Sequence, residues 1–228
     1  MISISDYLMN VSYPGRAIVM GMSEDSLNIV SIYLITGRSE NSRNRVLEAE
    51  NKAIKIRIYD ETNLSDSSLI KYYPVRVCGN ILIVTNGDQT DSIYQYIREG
   101  HSFEDALRTR TFEPDSLLTP RISSIINIVD GSYRLSILKS DGEYCNRFFY
   151  EYEPVPGKGR YISTYTGDPK SPNSFMGEPA AVSIDNDIDV MTDMVWNALS
   201  KEYRVSIYVR YINTKTKEYN TRIVNRLS

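Results

Sequence analysis

Short apolar segments rich in β-branched residues recur along this 228-residue chain, and turn-forming pairs separate several of them. Gly79-Asn80 and Asp130-Gly131 are such pairs, typical of tight β-hairpins. The pattern therefore predicts a fold dominated by antiparallel strands. The predicted strands are 16–22, 27–35, 52–60, two within 75–87, 121–129, 132–140, 144–153, 159–167, 204–213 and 219–227.

Three segments have helical signals instead, at 90–100, 102–110 and 187–203. Ser102 and Asp105 have the spacing of a capping box at the start of the second of these helices. Strands and helices do not alternate regularly, so a doubly wound parallel sheet is a poor fit. We expect an α+β fold of mostly antiparallel sheets covered by a few helices. No convincing linker interrupts the chain, so we expect a single domain over residues 1–228.

Charge and cysteine content exclude several classes of protein. The net charge of −3 provides no overall field for nucleic acid or an anionic membrane. No segment approaches the ~20 apolar residues that span a bilayer, and the N-terminus lacks the pattern of a signal peptide. The 2 cysteines form neither a disulfide framework nor a four-ligand zinc site. These features predict a cytoplasmic protein that binds neither nucleic acid nor membrane.

An arginine-rich stretch follows the second predicted strand, in the sequence LITGRSENSRNRV (34–46). Its arginines, at 38, 43 and 45, are interleaved with serine and asparagine, and such groups bind phosphate well. A solvated loop is the alternative. If the stretch forms an anion site, we expect Arg38 to lie deepest because it is nearest the strand, and we expect a solvated face to begin at Arg45.

Three further polar stretches lie where predicted strands begin or end. They are YPGRAIVMG (13–21), VTNGDQTDSI (84–93) and FEPDSLLTPRISSI (112–125). In the second, we expect a helix to begin at Thr90 and Asp91, with free backbone N–H groups that suit an anion. Each motif by itself has a simpler explanation as a turn or a helix cap. Together they favour a binding site, as do 18 tyrosines and a preference for arginine, although that composition also suits a sheet-rich fold.

These four stretches, in this order and spacing, resemble the archaeal-type family of inosine monophosphate (IMP) cyclohydrolases. The resemblance covers about residues 13 to 130, and TYTGDPKSPNSFMGEPA (164–180) is similar to a loop of bacterial members. It implies the four-layer αββα sandwich of the N-terminal-nucleophile hydrolases. It also implies ring closure of formylated aminoimidazole carboxamide ribonucleotide to IMP, with loss of water and with no metal or redox cofactor.

The resemblance also assigns site residues. It places the catalytic tyrosine at Tyr72 and the catalytic glutamate at Glu113, with Tyr73 as an alternative to Tyr72. Arg38 would hold the formyl or carboxamide oxygen. The single histidine, His101, is not expected to act. Substrate-binding residues for phosphate, ribose or ring would be Arg16, Ser39, Asn86, Gly87, Thr90, Asp91, Thr119 and Arg121.

Two other functions remain open on the sequence. The first is a purine-nucleotide-binding protein with the same fold that lacks the reaction. The second is hydrolysis of another amide, which we do not favour because the chain begins Met-Ile rather than with a nucleophilic Ser, Thr or Cys. The sequence leaves the oligomeric state open, a homo-oligomer included.

Overall fold

Antiparallel hairpins build most of the computed structural model, which describes residues 1–63 and 72–227. The strands are β1 (Arg16–Met22), β2 (Asn28–Thr36), β3 (Arg45–Glu50), β4 (Ala53–Ile58), β5 (Val75–Cys78), β6 (Ile81–Thr85), β7 (Arg121–Asn127), β8 (Tyr133–Ser140), β9 (Cys145–Tyr152), β10 (Lys158–Ser163), β11 (Tyr165–Thr166), β12 (Asn173–Ser174), β13 (Ala180–Ser183), β14 (Arg204–Asn213) and β15 (Tyr219–Asn225).

The helices in the described part of the chain are short. They are α1 (Ile4–Met9), α2 (Glu40–Arg43), α3 (Gln89–Arg98), α4 (Phe103–Arg108) and α5 (Ile188–Ala198), with a 3₁₀ turn at Glu61–Asn63. None of these helices is long and apolar enough to cross a membrane.

The strands form two large sheets. One has six strands in the order β13-β10-β1-β2-β14-β15, and the other has seven, β3 to β9, in chain order. The named strands all pair antiparallel, as the hairpin signals predict. The Gly79-Asn80 turn joins β5 to β6, with Gly79 at a φ of 56° that favours glycine. The α+β class with mostly antiparallel sheets is therefore confirmed.

Apolar side chains from both large sheets share one buried cluster. Ile18 and Ile32 of the six-stranded sheet belong to it together with Leu82 and Ile122 of the seven-stranded sheet. Full burial of such a side chain contributes about 1.5–3 kcal/mol. Helices α1 and α5 pack together, α5 against β14 and α1 against β13, whereas α3 packs against β5 and β6. A second cluster, which includes Phe103, lies between α3, α4 and the seven-stranded sheet.

Several element boundaries differ from the sequence prediction. Helix α5 ends at Ala198, short of the predicted 203, because Leu199 has an extended backbone with ψ of 140°. Helix α1 and strand β3 were not predicted. The capping box of Ser102 and Asp105 is present as expected, because the Ser102 side chain accepts from the Asp105 N–H and the Asp105 carboxylate accepts from the Ser102 N–H.

Candidate active site

Chain segments that are distant in sequence meet at one end of the two large sheets. In an antiparallel pair, the start of one strand lies beside the end of its partner. The start of β1 therefore lies beside the end of β2, where Arg16 pairs with Ile35, and beside the end of β10. In the other sheet the end of β6 lies beside the start of β7, where Thr85 pairs with Ser123. The polar stretches of the sequence follow or precede these strand ends.

A cavity of about 480 Å³ opens where these segments meet, within the size range of small-molecule sites. Three arginines and two carboxylates contribute to its walls. The lining residues are Tyr13, Gly15, Arg16, Arg38, Ser39, Asn41, Ser42, Arg45, Asn86, Glu113, Asp115, Leu117, Thr119, Thr164 and Tyr165.

Arg16 is partly exposed and Arg45 is buried, and together they form what we call the floor of the cavity. The Nη1 of Arg16 donates to the carbonyls of Gly15 and Thr36, which fixes its guanidinium. Arg45 is 5% exposed, and burial followed by the charge of Arg16 lowers its pKa to about 10. Both groups remain charged at neutral pH. The prediction that a solvated face begins at Arg45 is therefore wrong, because Arg45 begins β3 and belongs to the floor of the cavity.

Arg38 lines the cavity but is less buried than Arg45, so the expectation that it would be the deepest arginine is also wrong. Its guanidinium stands 5.4 Å from the ring centroid of Tyr13. Its Nη1 donates to the carbonyl of Pro169. Arg43, from the same stretch, donates to the carbonyl of Arg38 at 2.9 Å and supports its backbone. Stacking and hydrogen bonding thus hold Arg38 in place before a ligand arrives.

Tyr72 lies behind the floor and does not line the cavity itself. Its hydroxyl is 2.9 Å from the hydroxyl of Tyr33, and both side chains are buried. Burial raises the pKa of Tyr72, while the charges of Arg16 and Arg45 act in the opposite direction. Tyr73, the alternative assignment, faces elsewhere and donates to Glu50 at 2.6 Å. Tyr72 is thus the tyrosine of this pair that belongs to the buried cluster.

Glu113 lies on the cavity wall in the loop before β7. Its backbone N–H donates to the Thr119 carbonyl at 2.8 Å, and its carboxylate accepts from Asn86 Nδ2 at 3.3 Å. Burial raises its pKa to about 7, although Arg121 and Arg16 oppose this shift. A carboxyl with a pKa near 7 exchanges protons readily at neutral pH, which suits a general acid or base.

Hydroxyl groups line the mouth of the cavity. The Ser39 side chain accepts from the Ser42 N–H in the capping box that begins α2. Thr119 Oγ1 lies 2.5 Å from a carboxylate oxygen of Asp115 and 2.6 Å from the Tyr165 hydroxyl. These groups give the mouth both donors and acceptors, as binding of a ribose or a phosphate requires.

Residues 164–179, which we call the wall segment, close one side of the cavity and contact both large sheets. Thr164, directly after β10, donates through Oγ1 to the Pro14 carbonyl at 3.1 Å. Farther along, the Phe175 carbonyl accepts at 2.8 Å from the buried ammonium group of Lys139, which belongs to β8. The Pro169 carbonyl between them holds Arg38. One segment thus links a strand of each sheet to a cavity residue.

Asn86 is the centre of a buried hydrogen-bond network behind another wall of the cavity. Its Oδ1 accepts from the Ile122 N–H at 2.8 Å and from Gln89 Nε2 at 3.0 Å. Arg121 donates to Gln89 at 2.6 Å and pairs with Asp88 at 2.6 Å. Asn86 lines the cavity, whereas Arg121 does not, so Arg121 supports the wall from behind.

Gly87→Ala is expected to destabilise the protein by about 1–3 kcal/mol, because the site has no space for a methyl group. A Cβ on Gly87 would lie 2.5 Å from Arg121 Nη1 and 2.6 Å from Gln89 Oε1. Thermal unfolding would measure the effect, which would report the missing space alone, because the φ of Gly87 is not positive and alanine adds no backbone strain there. A Gly87→Ala protein as stable as the wild type would contradict the proposed close packing.

Thr90 and Asp91 do not line the cavity. Helix α3 begins at Gln89, and the N–H groups of Thr90 and Asp91 bond to the carbonyls of Gly87 and Asp88. The prediction that Thr90 and Asp91 have free backbone N–H groups is thus wrong. The Thr90 hydroxyl is buried against Thr85 Oγ1, and the Asp91 carboxylate pairs with Arg76.

Other candidate groups lie away from the cavity. His101 is exposed beside Tyr96, with ring centroids 5.5 Å apart. Among residues 1–63 and 72–227, no group of three or more His, Cys, Asp or Glu side chains could hold a metal ion. The titratable groups that face the cavity are therefore arginine, tyrosine and carboxylate.

Sequence comparison places this site in a known family. The family described as IMP cyclohydrolase-like protein matches residues 13–217, a range that contains every residue lining the cavity. The chain belongs to this family. The IMP cyclohydrolase of Methanosphaera stadtmanae is 33% identical over 158 residues, which cover 67% of this chain and 73% of that protein. Relatives of the same name from Methanococcus maripaludis and Methanopyrus kandleri are each 30% identical over 158 residues, covering 67% of this chain and 74% and 75% of their own.

Nine residues that line the cavity were not assigned as site residues from the sequence. They are Tyr13, Gly15, Asn41, Ser42, Arg45, Asp115, Leu117, Thr164 and Tyr165. Burial raises the pKa of Tyr165 to about 12, so its hydroxyl remains protonated and able to donate. Tyr13 immediately precedes the Pro-Gly turn that leads to Arg16, which is the one sequence signal that could have indicated it.

Proposed function

We propose that the protein is an IMP cyclohydrolase. It closes the six-membered ring of formylated aminoimidazole carboxamide ribonucleotide to give IMP and water, a step of de novo purine biosynthesis. The observation that carries this proposal is the Glu113 carboxyl, with a pKa of about 7, in one cavity with Arg16, Arg38 and Arg45. That arrangement combines a proton acceptor with cations for a phosphorylated substrate. The names of the curated relatives support it.

Ring closure requires a proton acceptor because an amide nitrogen is a poor nucleophile. The carboxamide nitrogen forms a bond to the formyl carbon, and the π pair of the formyl carbonyl moves onto its oxygen. Glu113 takes a proton from the carboxamide nitrogen and returns it to that oxygen. The oxygen leaves as water with a second proton from the nitrogen that carried the formyl group. The N–H electron pair left on that nitrogen forms the new C=N bond.

The catalytic roles that we assign to Arg38 and Tyr72 follow from their positions relative to the cavity. Arg38, held by Tyr13 and Pro169, binds the formyl or carboxamide oxygen from the side of the cavity. Tyr72 acts from behind the floor as a hydrogen-bonding or proton-relay group, coupled by charge to Arg16.

Residues from several segments of the chain bind the substrate in this proposal. Four that line the cavity contact its phosphate, ribose or ring, namely Arg16, Ser39, Asn86 and Thr119. Gly87 and Arg121 act indirectly, since both border the Gln89 side chain that holds Asn86. Thr90 and Asp91 contribute to the start of α3 and not to a substrate contact.

We further propose that the chain adopts the four-layer αββα sandwich of the N-terminal-nucleophile hydrolases as a single domain over 1–228. The buried cluster shared by both sheets supports this, as do the packing of α1 and α5 on one sheet and of α3 on the other. The proposal includes a cytoplasmic location, which the free Cys78 and Cys145 suit.

Two measurements test the function. Purine formation followed by ultraviolet absorbance, with the formylated nucleotide as substrate, is expected to show turnover. Calorimetry with IMP is expected to show saturable binding. Binding without turnover would indicate that the protein binds purine nucleotides without catalysing the reaction. Absence of both binding and turnover would contradict the proposal.

A further inference from the structure

A second cavity, of about 150 Å³, lies at the opposite end of the two large sheets from the candidate active site. We call it the remote cavity. The β3–β4, β5–β6 and β7–β8 connections of the seven-stranded sheet line one side of it. Strands β14 and β15 of the six-stranded sheet, with the turn between them, line the other. The remote cavity is therefore built by both sheets, as the candidate active site is.

Strand β2 gives the separation of the two cavities. Arg16 of the candidate active site pairs with Ile35 near the end of β2, whereas Ile212 of the remote cavity pairs with Ile29 near its start. Because a strand rises 3.2–3.4 Å per residue, Ile29 and Ile35 are roughly 20 Å apart. A mononucleotide is shorter than this distance. A ligand in the remote cavity is therefore a separate molecule from the substrate.

Within residues 1–63 and 72–227, three cationic side chains and no carboxylate line the remote cavity. The cations are Lys52, Arg210 and Lys217. None of them takes part in an ion pair in the described part of the chain. Asp130 acts on Lys217 by charge, but its carboxylate already accepts from the Ser132 hydroxyl and backbone N–H. A cavity lined by one sign of charge attracts the opposite sign, in this case an anion.

Arg210 is the buried cation of the remote cavity, with 2% of its surface exposed. Its Nε donates to Thr221 Oγ1 and its Nη1 to the Lys52 carbonyl, both at 2.9 Å. Its guanidinium lies 4.4 Å from the ring centroid of Tyr219. These contacts fix the guanidinium, yet Nη2 has no hydrogen-bond partner among the described residues. The partners are neutral, so the buried charge itself is left without a counter-ion, which disfavours folding unless a ligand supplies one.

Further donors of the remote cavity are also unused. The Lys52 ammonium, the Asn80 amide and the Tyr219 hydroxyl make no side-chain hydrogen bond with residues 1–63 and 72–227. Lys217 differs, because its ammonium donates to the carbonyls of Ile128, Val129 and Thr214 and so contributes charge from a fixed position. The free donors come from both sheets and therefore surround the cavity on more than one side.

We propose that the remote cavity is a second anion site, in which Arg210, Lys52 and Asn80 bind a phosphate group. Arginine and lysine both bind phosphate through charge-assisted hydrogen bonds. Donors on several sides suit the tetrahedral oxygens of phosphate better than a planar carboxylate. At about 150 Å³ the cavity is smaller than the roughly 300–1,000 Å³ of sites for drug-sized ligands, so it holds a phosphate group and not a whole nucleotide. This inference does not depend on the proposed function.

Calorimetry with inorganic phosphate tests the remote site, with excess IMP present to fill the candidate active site. The wild type is expected to show one saturable binding event and a higher melting temperature with phosphate. Lys52→Glu brings a carboxylate into the cavity and should raise the Kd for phosphate at least about 10-fold. Lys201→Glu, the same change at an exposed lysine before β14, is the matched control and should bind as the wild type does. Arg210→Met should abolish the binding.

Absence of phosphate binding in the wild type would refute the remote site. Equal binding by Lys52→Glu and Lys201→Glu would place the anion elsewhere and refute it as well. Arg210 also joins the two sheets, so a loss of folding in Arg210→Met is a separate structural effect, and Lys52→Glu then decides because the Lys52 side chain is exposed. If the protein binds no IMP, the function alone is refuted, and the same comparison of variants without IMP still tests the site.

Ribose 5-phosphate in place of inorganic phosphate identifies the source of the phosphate group. Tighter binding of the sugar phosphate would support a phosphorylated metabolite whose remainder extends out of the remote cavity. Equal or weaker binding would support free phosphate as the ligand. In both cases Lys52→Glu should weaken the binding and Lys201→Glu should not, and a sugar phosphate insensitive to Lys52→Glu would contradict its binding there.

Discussion

Glu113→Gln is expected to lower turnover by about 10²–10⁴-fold while IMP affinity changes little. Glutamine keeps the size of the side chain and can still meet Asn86, but it cannot accept the proton of the carboxamide nitrogen. The loss should therefore appear in kcat, as for a group that acts mainly in the transition state. Steady-state kinetics and calorimetry on the same preparations would measure the two effects.

The pH dependence provides a second test of the same residue. Because the pKa of Glu113 is raised to about 7, the carboxyl is largely protonated below that pH and unable to act as a base. The wild-type kcat/KM should rise with pH and level off above about 7, and Glu113→Gln should lack this rise. Glu99→Gln, a change at an exposed carboxylate directly after α3, should leave the profile unaltered. Full turnover in Glu113→Gln would end the assignment.

Arg38→Ala is expected to weaken IMP binding by about 1.5–3 kcal/mol, roughly 10–150-fold in Kd. Arg38 is held against Tyr13 and Pro169 before binding, so little side-chain entropy is lost when it contacts the ligand. Calorimetry with IMP would measure the change. Arg98→Ala, at an exposed arginine in the last turn of α3, is the control. Wild-type affinity in Arg38→Ala would show that the arginine-rich stretch is not part of the anion site.

Local signals predicted much of the fold because they depend on neighbouring residues. The Gly79-Asn80 hairpin and the capping box at Ser102 are of this kind. Strand β3 was missed because Glu48, Ala49 and Glu50 are residue types that are depleted in strands, and because Arg45 at its start belongs to the polar arginine-rich stretch. The position of Arg45 was missed with it, since the inward side of a strand is known only once the strand and its register are known.

The sequence also cannot show which of two adjacent tyrosines faces the core. Tyr72 enters the buried cluster and Tyr73 bonds to Glu50, yet the sequence presents them as equivalent. Successive side chains of an extended chain point to opposite sides, and the core side is decided by tertiary packing. Thr90 shows a related ambiguity. Threonine suits a helix cap, but here its hydroxyl is buried against Thr85 inside the first turn of α3.

The wall segment makes the shape of the cavity depend on how the two large sheets are aligned. Thr164 follows a strand of one sheet, Lys139 belongs to a strand of the other, and the segment that joins them carries the carbonyl that orients Arg38. A sliding of one sheet past the other would pull on this segment. Thermostabilising designs that repack the space between the sheets would therefore alter catalysis, even when every substitution lies far from the substrate.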